Sequence, residues 1–150
     1  MIKTVIFASA LLAASGAMAQ DWTHAAAAMG QFEGGVRSAD DTHGIDYSCN
    51  PNMSQIGFFA DGVHVAAGES TISVDGTELV SGNTTYNSSW DATSFTNRVE
   101  ARWGDKLIDE HNALVDALAS GYEASWTTPS GETYTFDLTG SADIKSCLVD

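Results

Sequence analysis

Basic residues are scarce in this chain: 6 Lys and Arg stand against 20 Asp and Glu in 150 residues, a formal net charge of −14. Such a surface repels nucleic-acid phosphates and anionic lipid, so neither is expected as a partner. A basic protein, a cation or a small ligand stays open, and the same acidity also serves solubility in a secreted protein. Long apolar runs are missing too. Past the first residues nothing approaches the roughly 20 apolar residues of a membrane span, so no membrane insertion of the mature chain is expected. Internal repeats and low-complexity linkers are absent. So are the G-x-S-x-G elbow, the phosphate-binding P-loop, H-E-x-x-H and the spacing of an EF-hand. The reading is non-enzymatic, with no cofactor, no metal site and no catalytic residue assigned.

The chain opens with Lys3, then a run of apolar and small residues from Val5 to Ala14, then Ala17-Met18-Ala19. A basic start, a short apolar stretch and an A-x-A end are the secretory pattern. Residues 1–19 therefore read as a cleaved signal peptide, and residues 20–150 as a single acidic β-rich domain in the periplasm or the medium. Removing Lys3 leaves 5 basic residues against the same 20 acids. Abundant aromatics and periodic aliphatics argue against disorder.

There are two cysteines, Cys49 and Cys147. In an oxidising compartment such a pair usually bonds. They do not form C-x-x-C, and no His is near either in sequence, so a structural disulfide is favoured over a metal or redox pair.

Residues 22–29 fit a small-residue strand or a short helix. Residues 31–42, rich in Gly, Asp and Ser, read as loop. Ile45, Tyr47 and Cys49 alternate with Asp46 and Ser48, giving a strand with one buried face. Residues 55–60 form a second strand. Asp61-Gly62 signals a tight turn, with Val63 and Val65 continuing in extended form. Residues 71–74, Asp75-Gly76 and residues 78–81 form a hairpin, and residues 84–89 have high strand propensity. Residues 95–103 fit both periods; the regular polar face of Thr96, Arg98, Glu100 and Arg102 favours a strand.

Residues 106–120 form a helix whose apolar stripe is Leu107, His111, Leu114, Val115 and Leu118. Asp105 is its expected N-cap and Gly121 its left-handed C-cap. Tyr122, Ala124 and Trp126 then alternate, turn at Pro129-Ser130-Gly131, and return through Tyr134, Phe136 and Leu138. A short helix capped by Ser141 ends near Cys147. Together these predict a mainly β fold: an antiparallel β-sandwich or partly closed barrel with one amphipathic helix and a short C-terminal helix.

Candidate site residues are few. His24, His43, His64 and His111 are all five or more residues from one another, and His111 lies on the helix stripe. Asp40, Asp41 and Asp46 could offer oxygens to a cation but lack the ordered spacing of a Ca²⁺ loop; a solvated acidic loop is the plainer reading. The sequons at Asn52, Asn83 and Asn87 mark surface at most. Trp90, Trp103 and Trp126 are expected in the core; two of them exposed on one sheet face would indicate a binding surface.

From Ala113 to Gly121 a helix ends in small residues. An alternating hairpin follows, then Leu138-Thr139-Gly140-Ser141 leads into a short helix closed by Cys147. This resembles periplasmic proteins of the invasion-associated locus B-like family over about 35 residues, with Cys49 as the upstream cysteine. The resemblance implies a β-sandwich envelope protein and carries over the two cysteines alone. Tyr47-Ser48-Cys49, with Val74-Asp75-Gly76 downstream, is more distantly similar to C-type lysozyme inhibitors, small disulfide-bonded periplasmic barrels. The helix at 106–120 departs from that pattern, as does the lack of a lipoprotein cysteine. The sequence thus points to an exported binding or structural protein, with an inhibitor of a basic hydrolase such as lysozyme as the alternative and a small-ligand enzyme with a dispersed site as a further one.

Overall fold

A computed structural model describes residues 21–64 and 67–150. The expected signal peptide lies outside the described residues, as does Val65. Nine antiparallel strands make one sheet: β1 (Thr23–Ala26), β2 (Phe32–Arg37), β3 (His43–Asn50), β4 (Met53–Asp61), β5 (Gly68–Val74), β6 (Thr77–Asn87), β7 (Ala92–Glu100), β8 (Glu123–Thr127) and β9 (Thr133–Asp137). Their order is β1-β2-β3-β4-β7-β6-β5-β8-β9. The sheet curls into a half-barrel. Its long strand β6 pairs with β5 through Thr77–Thr84 and with β7 through Thr85–Asn87. The curl brings edge strand β9 back toward β3 and β4. The His43 ring lies 5.1 Å from that of Tyr134, and Phe58 lies 5.8 Å from Phe136.

The inner face holds the core. Ile45, Tyr47, Ile56, Phe58, Phe95, Ile72, Trp126 and Phe136 are all buried on it, as the period-two patterns require. Each fully buried large apolar side chain contributes about 1.5–3 kcal/mol. Trp126 Nε1 has no hydrogen-bond partner among the described residues, which offsets part of that gain.

Helix α1 (Asp105–Ser120) covers the inner face beside β6 and β7, burying Ile108, His111, Leu114, Val115 and Leu118. Ile108, not the half-exposed Leu107, begins the stripe. Asp105 is the first helical residue and Gly104 the cap, with no side-chain cap bond. Asp105 still places negative charge at the positive end of the helix dipole. Gly121 is extended, φ −79°, and not left-handed. Glycine is needed there for space: a Cβ would come within 2.5 Å of Val74 Cγ1.

The C-terminal segment Ser141–Cys147 is a 3-10 helix capped by Gly140, which is left-handed. Ser141 is not its cap. Its buried hydroxyl lies 2.7 Å from the carbonyl oxygens of both Leu118 and Leu138 and shares its one proton between them. Cys147 is bonded to Cys49 of β3, with their Cα atoms 5.3 Å apart.

One further expectation changes, and two open points are resolved. Residues 32–37 form a strand, not a loop, because β1 and β3 pair with both of its edges and override weak local propensity. Thr23–Ala26 is a strand, followed by a 3-10 turn at Ala28–Gly30. Asp61-Gly62 turns the chain as expected, but β4 pairs with β3 and β7 and not with the segment after the turn. The strand reading of residues 95–103 is right as far as Glu100.

Candidate functional site

The histidines do not gather. His24 stacks on Phe32, His43 lies against Tyr134 and Phe136, and His64 stacks on Tyr86 at 4.0 Å. His111 is fully buried, with Nε2 2.7 Å from Ser54 Oγ and Nδ1 2.5 Å from Asn97 Oδ1. Burial pulls its pKa down to about 4. The ring is therefore neutral, donating from Nδ1 to Asn97 and accepting from the Ser54 hydroxyl. Ser54, His111 and Asn97 repeat the connectivity of a nucleophile, a base and an orienting group. Ser54 is fully buried, however, so in this conformation its oxygen meets no substrate. The three act as a polar rivet between α1, β4 and β7. They come from three separate elements, and no sequence spacing joins them.

The acidic residues also part company. The Asp40 carboxylate accepts from Ser38 Oγ at 2.6 Å and Thr42 Oγ1 at 2.7 Å, and the Ser38 bond leads in holding its pKa down to about 2. Asp41 pairs with Arg37 at 3.5 Å. Asp46 lies on the outer face of β3. Among the described residues no group of three His, Cys, Asp or Glu side chains converges to hold a metal.

Asp46 is the centre of a different feature. In the ladder it pairs with Gly35 of β2 on one side and Gly57 of β4 on the other, and Gly57 in turn pairs with Thr96 of β7. A Cβ at Gly57 would collide with Asp46 Oδ1. The missing side chain lets the carboxyl lie across the sheet and leaves a trough beside it. Desolvation raises the Asp46 pKa, partly countered by its own backbone amide, Arg37 and the Gly57 amide. A perturbed carboxyl in a cleft marks a candidate site.

A depression of about 390 Å³ runs from Asp46 past Gln55, Phe59 and Thr96 to Trp90. Two more, about 460 and 500 Å³, also have Asp46 in their walls. Arg37 forms part of the rim. Its guanidinium lies 4.4 Å over the Phe59 ring and donates to Asp61 Oδ2 at 2.7 Å.

Trp90 sits at the tip of the β6–β7 hairpin and is 78% exposed. The tip is tied down. Asp91 accepts from the Tyr86 hydroxyl at 2.7 Å and, through its carbonyl, from the Gly62 amide at 2.6 Å. Trp126 is in the core as expected, but Trp90 and Trp103 are not. These two lie beyond opposite ends of β7, so they do not form a shared surface. Sequence reasoning missed Arg37, Gly57 and the exposure of Trp90. The signal available was a glycine at an outward position of an otherwise strong strand, which marks close approach of another group.

Comparison of the chain with protein families, with curated proteins and with solved structures finds no match in any of the three.

Proposed function

We propose that this is an exported, non-enzymatic envelope protein, periplasmic or secreted, whose work is to bind. The observation that carries the reading is the outer-face trough. It is preformed by Gly57 and Asp46, and its rim is held by the Arg37–Asp61 and Tyr86–Asp91 bonds. Preorganised walls reduce the ordering cost of binding. Ser54 and His111 are buried, and neither they nor Asn97 line the trough. The Cys49–Cys147 bond fits an oxidising compartment, and no helix of the described residues is long and apolar enough to cross a membrane. The locus B-like resemblance agrees with such a role.

Fractionation of the producing cell with intact-mass measurement tests the export half. Recovery outside the cytoplasm, with a mass starting at Gln20 and two hydrogens short, is expected. A cytoplasmic, full-length, reduced chain refutes it.

The net charge of −14 favours a second reading, inhibition of a basic hydrolase such as lysozyme, since opposite charge speeds and orients association. A direct muramidase assay decides it. Unchanged lysis at a protein excess removes the idea.

A further inference from the structure

We infer that the trough centred on Asp46, with Trp90 at its end, is a binding site for a neutral oligosaccharide. This deepens the binding role proposed above and rests on it. A sugar ring presents a flat face of C–H groups and an edge of hydroxyls. The indole face is electron-rich and suits the first. Trp90 offers that face to solvent on a fixed hairpin tip. The edge needs groups that both donate and accept, which is what amides and hydroxyls do. Gln55, Thr85, Asn87, Ser94 and Thr96 line the depression between Trp90 and Asp46. Asp46 supplies a carboxyl at its floor that accepts from two neighbouring hydroxyls at once.

Charge selects among other ligands. An anionic ligand meets Asp46 and the overall −14 charge. A cationic ligand gains little in this depression: Asp61 is already bonded to Arg37, which leaves it Asp46 with Arg37 close by. An apolar ligand would strand the amides and hydroxyls without partners, each at a cost. A neutral polyhydroxylated chain matches the stacking face, the donors and acceptors, and the near-balanced charge.

The test uses the oxidised mature protein and a panel of neutral oligomers of glucose (β-1,4 and α-1,4), xylose and N-acetylglucosamine. Binding is read by tryptophan fluorescence and calorimetry, with each oligomer's mass checked afterwards. Saturable binding of at least one oligomer, weakened tenfold or more by Trp90→Ala and by Asp46→Ala, is the expected result. Trp90 is exposed at a hairpin tip and Asp46 lies on the outer face, so neither substitution opens a cavity in the core, and circular dichroism checks that each variant folds. Asp46→Asn keeps an acceptor and stays within a few-fold of the parent. Binding that survives Trp90→Ala overturns the site. No response across the panel at millimolar concentration overturns the ligand class. Basic lysozyme, added as a control, then shows whether the wider binding reading survives. A cleaved oligomer keeps the sugar site and overturns the non-enzymatic reading.

Discussion

His111 Nε2 lies 2.7 Å from Ser54 Oγ, joining the buried stripe of helix α1 to the start of strand β4. With Nδ1–H donating to Asn97 Oδ1, the buried neutral ring accepts at Nε2 from the Ser54 hydroxyl. The folded-state pKa is about 4, against an ordinary value of 6.5, and burial is the cause. As pH falls, the unfolded chain takes up the proton first. Stability from this group is therefore complete above about pH 6.5, declines between about 6.5 and 4, and levels off below. The total is about 3 kcal/mol. In urea unfolding across that range, the gap between the parent and His111→Gln should narrow by about this amount. A constant gap would show that His111 does not titrate with folding.

The covalent tie from β3 to the C-terminal 3-10 helix closes a loop with a sequence separation of 98. By chain entropy a loop that long stabilises by about 4–5 kcal/mol. Cys49→Ala, Cys147→Ala and the double variant should lose the same amount, because either substitution removes the whole bond. Urea midpoints compare them. Equal midpoints for parent and variants would mean that the bond is not formed in solution.

The strands and the helix were legible because their signals are local. Alternation placed Ile45, Tyr47 and Cys49 in the core, and Asp75-Gly76 marked the β5–β6 hairpin; both residues are left-handed, at φ 49° and 79°. The disulfide was legible from compartment logic alone. Strand β2 was not, because Glu33-Gly34-Gly35 has little strand propensity and is held by its neighbours. The trough was not either. It depends on Gly35, Asp46 and Gly57 falling in one row, which is a matter of register between three strands. Trp90 reads as core by residue type, and only the hairpin tip, too short to bury a side chain, puts it in solvent.

Gly121 separates crowding from backbone strain. Its φ of −79° suits any residue, yet an added Cβ would sit 2.5 Å from Val74 Cγ1 and 2.9 Å from the Ala117 carbonyl oxygen. Gly121→Ala should lose about 1–3 kcal/mol through overpacking. Gly76→Ala meets open space but holds φ 79°, so it should lose about 1–2 kcal/mol by strain alone. Combining Gly121→Ala with Val74→Ala tells them apart: the second change should recover part of the Gly121→Ala loss. Simple additivity of the two losses would show that the clash is not the cause.

Asp75 links two turns that are distant in sequence. Its carboxylate accepts from the Tyr122 amide at 3.1 Å and the Glu123 amide at 3.0 Å, while its own amide donates to the Glu123 carbonyl at 2.9 Å. The side chain thereby fixes the exit from α1 against the β5–β6 turn and sets where β8 begins. Its φ of 49° adds a second demand, since Asp and Asn tolerate that region better than Ala. Asp75→Ala loses both the acceptor and the backbone preference and should cost about 2 kcal/mol. Asp75→Asn keeps an oxygen acceptor and the preference, and should cost under about 1 kcal/mol. Asp75→Gly relieves the backbone but leaves both amides to water, so it should fall between the two. Urea unfolding of the three variants checks the order. If Gly matches Asn, the backbone demand dominates; if Gly matches Ala, the two hydrogen bonds do.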